Sequence, residues 1–303
     1  MDKDIQAELQ RFINFYTFTN GVAPTKEQID EQHRLIIDRM NAMGRSEYAG
    51  YSADKMNRLV NRLWDKDSII TINKLTDTQF EQIPLLRQVL TLTEILTDKK
   101  KIKLTAKGNL PVAVVRAVYE AGVPNDYIEK IAPKTLKEDD VESVQRTRII
   151  VEEIMQIVSV EVGVMTLTEK GTALIADKQQ LFDELMYSFC DQFNWSYFDD
   201  FESDEIAQLG SGFSLALVEQ MGAKLIEGTV YAEKYFAALP MCTPKGMDND
   251  DVLKKHALYC YEYRTFERFM MQFGLVEMRP AKGKKGITYK KTPLFDKMLS
   301  FKK

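Results

Sequence analysis

Long apolar runs are missing from this chain, as are paired cysteines and clustered histidines. No stretch approaches the ~18 uninterrupted apolar residues that a membrane-spanning helix needs, so no membrane partner is expected. The segment Met1-Asp-Lys-Asp-Ile5 runs straight into a charged amphipathic pattern without the apolar core of a signal peptide, and the expected location is cytoplasmic. Cys190, Cys242 and Cys260 are widely spaced and contain no CxxC pair, which argues against a disulfide framework or a zinc knuckle. His33 and His256 are the only histidines and lie far apart, so they read as surface or capping groups rather than catalytic bases. Gly210-Ser-Gly212 lacks the third glycine and the preceding strand of a dinucleotide fingerprint. No cofactor, metal site or catalytic residue is expected, and an enzyme has no positive support.

One stretch is also short of charge of one sign. Gln179–Ala223 contains no Lys or Arg against nine acidic residues, several of them in Asp199-Asp-Phe-Glu-Ser-Asp-Glu205. Gly274–Lys303 is the reverse, with nine Lys or Arg against Glu277 and Asp296, a local +7 within a chain of net −4. Such polarity bears on partners rather than on fold. The acidic run lacks the spacing of a calcium loop and reads as a solvated loop, or as a mask that could pair with the basic end.

What is present is an ordinary globular balance, 45% apolar and 28% charged over 303 residues, enough for two or three domains. Residues 1–64 carry helical spacing in Ile5-Leu9-Phe12-Ile13-Tyr16, Leu35-Ile36-Met40 and Met56-Leu59-Leu63, with Ser52 as an N-cap. Leu86, Val89, Leu90, Thr93 and Leu96 stripe another helix that Pro84 opens. Leu181–Phe201 is helical and very aromatic, and reads as core rather than a base-stacking platform. Pro133–Asp140 and Pro240–Asp251 read as polar linkers. They divide the chain into 1–132, 141–239 and 252–303.

Each part holds one copy of a pattern: helix, strand, turn, a second strand ending in Thr, new helix. The first runs Leu86–Leu96, Thr97–Lys101, then Ile102–Thr105 and Ala106–Leu110, with Pro111 restarting the helix. The second runs Ile149–Ile157, Val158–Val162, Gly163, Val164–Thr168, then Glu169–Ile175. The third runs Leu258–Phe273, Leu275–Met278, the loop Arg279–Gly286, Ile287–Thr292, then Pro293–Leu299. Gly274 should take the left-handed conformation that closes a helix, and Thr292-Pro293 is a cap followed by proline at the first helical position. Gly108 and Gly171 fall just inside the new helix, where a missing side chain lets backbones approach. The expected fold is mainly α with small β-hairpins, repeated winged-helix-like units in a helical array.

Two resemblances accompany that layout. Leu167-Thr-Glu-Lys-Gly171 is similar to the Leu-Thr-x-Lys-Gly segment that ends the wing in many winged-helix proteins. Asp54–Leu59, Ile83–Arg87 and Leu104-Thr-Ala-Lys-Gly-Asn-Leu-Pro111 resemble a family of uncharacterised bacterial proteins, in which an LTAKGNLP block precedes a later LTxKG block. That resemblance spans roughly residues 50–190. It implies a mostly helical fold and carries no established activity or site residue.

The candidate site is a basic wing. Arg279, Lys282, Lys284, Lys285, Lys290 and Lys291 decorate the last hairpin, where a cationic loop beside a helix can straddle nucleic-acid phosphates. Lys99, Lys100 and Lys101, with Lys103 and Lys107, hold the same position in the first copy. Arg264, Arg268 and Gln272 recur at helical spacing opposite Leu258, Tyr261 and Phe269, as on a recognition helix that meets base edges. An isoelectric point near 5.5 weighs against a dedicated nucleic-acid binder, and a lysine-rich hairpin also serves to keep strand edges apart. The leading functional expectation is a nucleic-acid-associated, DNA-binding protein of regulatory type. The alternative is a protein–protein interaction scaffold that binds no nucleic acid and has no enzymatic activity.

Overall fold

The computed structural model describes residues 2–201, 203–281 and 286–302. It is mainly helical, with three small antiparallel sheets. Helices α1 (Asp2–Asn20) and α2 (Lys26–Ala42) form a hairpin whose turn is fixed by a capping box, Thr25 with Gln28. In α3 (Ala53–Asn61) Ser52 caps as expected, accepting from the Lys55 amide at 3.2 Å. Strand β1 (Ile70–Ile72) and the short α4 (Asp77–Phe80) follow.

The next stretch builds one helix-and-sheet unit. Pro84 opens α5 (Pro84–Lys99), which buries Leu85, Leu86, Val89, Leu92 and Leu96. It runs through Lys99 and closes on Lys100 in the left-handed region (φ 66°), so Thr97–Lys101 is not a strand. The only strand of the first expected hairpin is β2 (Ile102–Lys103). After it Gly108 (φ +83°) sits in a turn rather than a helix, and Pro111 caps α6 (Val112–Ala121). Then come α7 (Asp126–Ile131) and α8 (Glu142–Ile149), which continues as a π-helical stretch Ile150–Ile154. Strands β3 (Val158–Glu161) and β4 (Val164–Leu167) meet at Val162-Gly163, both with positive φ, as a tight hairpin requires. The sheet order is β2-β4-β3, with Ile102 opposite Met165.

The expected first and second hairpins are therefore one sheet. Its pairing reaches across Pro133–Asp140, and that segment is packed rather than a free linker: Glu138 is buried, accepts from the Leu110 amide at 2.5 Å and pairs with Arg148 at 3.1 Å. Downstream, Thr168 caps α9 (Glu169–Leu174), and α10 (Lys178–Tyr187) continues as a π-helical stretch Ser188–Gln192. A Cβ on Gly171 would lie 2.1 Å from the Ile157 carbonyl oxygen, which is the close approach its position implied.

The same order of elements then returns. It comprises α11 (Ser211–Met221), β5 (Ile226–Glu227), α12 (Gly228–Ala238), α13 (Asp251–Glu262), β6 (Val276–Pro280) and β7 (Ile287–Lys291). The strand order, β5-β7-β6, matches that of the first sheet. Here too the last helix before the hairpin continues as a π-helical stretch, Tyr263–Met270. Thr168 and Thr292 hold equivalent places. Their amides bond back to the carbonyls of Ile157 and Leu275, and their hydroxyls cap the next helix. Gly274 is left-handed (φ +67°), as expected. Thr292 and Pro293 start α14 (Pro293–Met298), after which β8 (Leu299–Phe301) pairs with β1.

A single apolar core joins the units. Phe189, Phe193, Trp195, Phe269 and Phe273 interlock within it, with Phe189 stacked on Phe269 at 5.6 Å and Trp195 donating to the Phe189 carbonyl at 2.8 Å. Phe182, Phe189, Phe193 and Trp195 are core, as the sequence implied, but the helix stops at Gln192 rather than running to Phe201, and Tyr197 is exposed. No helix among the described residues is long and apolar enough to cross a membrane.

Candidate nucleic-acid interface

The cationic residues singled out by the sequence fall into three environments. Lys99, Lys100, Lys101, Lys103 and Lys107 are all exposed, where α5 gives way to β2 and the following turn. Among the described residues none of these five side chains has a hydrogen-bond or ion-pair partner. The left-handed conformation of Lys100 ends α5, so the lysines run from the helix end through β2 into the turn that follows instead of along one helix.

The C-terminal hairpin is more mixed. Arg279 is 61% exposed and pairs with Glu277 at 3.1 Å. Lys290 is half-buried, opposite Glu277 in the β6–β7 register. The Lys291 ammonium is committed, at 2.8 Å from Glu219 and 2.6 Å from Asp296, and its side chain is only 15% exposed. Lys282, Lys284 and Lys285 lie outside the described residues.

Arg264 and Arg268 require a correction. Neither projects from an outer face, for both are buried in the π-helical continuation of α13. Asp199, from the acidic run, takes both. Arg264 holds its carboxylate by two bonds, at 2.6 and 3.0 Å, and Arg268 donates to the same group. Arg264 also donates to the Ser203 and Ile206 carbonyls, and Arg268 to the Trp195 carbonyl. Such a planar fork suits a buried pair, because several of its donors can be satisfied at once. Burial alone would raise the Asp199 carboxyl, but hydrogen bonding from Arg264 and the charges of Arg264 and Arg268 hold it below the usual range. Gln272 is buried as well. The apolar-opposite face of this helix is covered by Asp199, Ser203, Asp204 and Ile206 and by Glu142 at the start of α8, so it cannot enter a groove.

The helices that precede the two hairpins, α8 and the continuation of α13, meet here. Glu142 of α8 accepts from Arg146 at 3.1 Å, from Arg268 at 3.2 Å and from the Tyr263 hydroxyl at 3.2 Å. They edge a cavity of about 440 Å³ whose wall includes Tyr119, Asp140 and Gln272. Arg146 is buried, its Nε has no partner, and burial pushes its guanidinium down to about 10. Missed in the sequence were the roles of Glu142 and Asp199, since nothing local marks partners 126 and 65 residues away, and the burial of Arg146, whose i,i+4 pair with Glu142 was the one local signal. Lys254 and Lys255, on the exposed half of α13, add further cations.

No protein-family model, curated protein or solved structure matches the chain. Function must therefore be argued from these residues alone. Cys190, Cys242 and Cys260 are buried, and burial raises each thiol, which disfavours thiolate chemistry. Among the described residues no cluster of His, Cys, Asp or Glu could hold a metal ion.

Proposed function

We propose that the chain is a double winged-helix protein that associates with nucleic acid by gripping phosphates, without reading base edges. The observation that carries this is the run of exposed lysines, Lys99, Lys100, Lys101, Lys103 and Lys107, with no hydrogen-bond or ion-pair partner among the described residues. Free ammonium groups release counterions from a polyanion, and that term is independent of sequence. In support of this reading, helix, short strand, further helices and two hairpin strands follow one another twice, with the strand order first-third-second each time and α7 as an extra helix in the first, an order that resembles a winged helix. A fold-level likeness alone would not carry function; the lysines supply the chemistry.

The burial of Arg264 and Arg268 favours phosphate contact over base readout. On the second unit Arg279 is exposed but pairs with Glu277, so the free lysines of the first unit carry the reading. The test is a titration of labelled duplex DNA over a range of salt. Binding at low salt with no preference between sequences is expected, weakening to about 1–100 µM near physiological ionic strength. Replacing Lys99, Lys100 and Lys101 together by Ala should flatten the log–log salt slope by about 3. No binding even at low salt would remove this reading.

A further inference from the structure

The cavity of about 440 Å³ where α8 meets the continuation of α13 is walled by polar groups that the fold leaves unsatisfied. Arg146 lines it from α8. Its side chain is 3% exposed, and the one bond its guanidinium makes among the described residues runs from Nη1 to Glu142. The Nε–H is buried without an acceptor. Gln272 lines the cavity from the other unit, just past the π-helical stretch. It is 8% exposed, its amide nitrogen donates to the Glu267 carbonyl at 2.9 Å, and no donor reaches its Oε1 among the described residues. Five residues earlier stands the Glu267 carboxylate, half-buried in the same wall and without a hydrogen bond or ion pair among the described residues.

The charges are uneven as well. Three buried guanidinium groups, Arg146, Arg264 and Arg268, bond to two carboxylates, Asp199 and Glu142. Arg146 holds the weakest claim, because Glu142 also accepts from Arg268 and from the Tyr263 hydroxyl, and the Arg268 charge repels it. A buried donor or acceptor without a partner costs stability, more so when charged, and folded chains keep few of them. Here a cationic donor, a neutral acceptor and a carboxylate in that condition line one cavity, whose volume lies inside the ~300–1,000 Å³ of small-molecule sites.

We propose that this cavity binds a small zwitterion, an α-amino acid with an apolar side chain, its carboxylate on Arg146 and its ammonium group on Gln272 and Glu267. The unsatisfied groups define the ligand by complement. A guanidinium asks for an anionic acceptor and suits a carboxylate, whereas Gln272 Oε1 and Glu267 ask for N–H donors, best of all charged ones. An α-amino acid carries both on one carbon. Phosphate offers acceptors alone and would meet Glu267 and, at exposed positions of the wall, Asp126 and Asp140. A neutral nucleobase would leave Arg146 and Glu267 without opposite charge in a buried site. Val123, Ile128, Met271 and Met278 complete the wall as an apolar surface, in which the methionines can adapt to a side chain.

The experiment is isothermal titration calorimetry on the full chain with L-leucine, L-methionine and L-phenylalanine, one at a time. Saturable binding of at least one of them, one molecule per chain, is expected. For the tightest, the analogues that lack the amino group or the carboxylate (4-methylpentanoate and 3-methylbutylamine in the case of leucine) should each bind at least ~10-fold more weakly, because each leaves a charged contact unmade. Arg146→Met should lose at least ~10-fold in affinity while keeping the wild-type far-ultraviolet circular dichroism. Should that variant fail to fold, Glu267→Gln should weaken the amino acid but not its deaminated analogue. No saturable heat with any of the three at millimolar concentration overturns the proposal and leaves water as the partner of Arg146. Affinity unchanged in Arg146→Met, or inorganic phosphate bound as tightly as the amino acid, overturns it equally.

Discussion

The chain carries two clusters of cations that look alike in sequence and behave oppositely in the fold. Arg264 and Arg268 are wholly enclosed and share Asp199, whereas Lys99, Lys100 and Lys101 are exposed and unpartnered among the described residues. Helical spacing opposite an apolar stripe suggested solvent for the arginines, but a second layer of chain covers that side. What differs is the availability of a partner. A guanidinium can be buried when a carboxylate and several carbonyls surround it. An ammonium on a flexible stem stays in water when no acid is near. One cluster thus serves the fold, and the other is free for a ligand.

Removing the shared carboxylate should break the comparison most severely. Asp199→Ala leaves two buried guanidinium groups without their common counter-charge, and a loss of about 3–5 kcal/mol is expected in the urea unfolding midpoint. The pH dependence has a definite sign. Asp199 titrates lower in the folded chain than in the unfolded one, so its contribution is complete above the unfolded value of about 3.9 and fades as pH falls through the folded one. The stability gap between wild type and Asp199→Asn should therefore narrow below about pH 4. Burial raises Glu262 and Glu267, which gives the opposite slope, but both proteins share those groups and the difference cancels them. A loss under ~1 kcal/mol for Asp199→Ala would mean that water, not this carboxylate, satisfies the arginines.

The same contrast separates what was legible in the sequence from what was not. Signals confined to a few residues survived: the Ser52, Thr168 and Thr292 caps, Pro84, Pro111 and Pro293 at helix starts, and the left-handed Gly274. Each cap is a contact between groups three residues apart, and each proline or glycine acts through its own backbone, so the local sequence contains the whole interaction. Features that depend on distant partners did not. Ile102 pairs with Met165 across the supposed linker, which turned two expected hairpins into one sheet. Asp199 reaches Arg264 and Arg268 from a run that looked merely solvated. Lys100 adopts a left-handed cap that composition would assign to glycine, and so the lysine stretch became a helix end rather than a strand. Of the candidate site, the lysine run was legible because exposure is the default for Lys.

A smaller effect sharpens the comparison from inside the buried cluster. Arg146 donates to Glu142, which Arg268 and Tyr263 also satisfy, and its own Nε is unpartnered. Its folded value of about 10 lies below the usual 12.5, so below that pH the folded state carries a charge it holds less well than the unfolded chain does. Arg146→Met keeps the volume and removes the cost, and should change stability by no more than about 1 kcal/mol in either direction. A loss near that expected for Asp199→Ala would mark Arg146 as a structural partner of equal rank.

The smallest expected effect on stability belongs to the lysines, and it is the most informative about function. Replacing Lys99, Lys100 and Lys101 by Ala removes three exposed ammonium groups with no hydrogen-bond or ion-pair partner among the described residues, so the unfolding midpoint should move by no more than the equivalent of about 0.5 kcal/mol. Relief of mutual repulsion makes a slight gain the favoured direction, larger at low salt because screening is weakest there. If the same variant loses DNA affinity and salt slope at unchanged stability, the loss is one of contact rather than of folding. Substituting Arg264 or Arg268 would abolish binding only by unfolding the protein that presents the lysines. Measuring both properties on both sets of variants therefore separates the cations that hold the chain together from those that meet a partner.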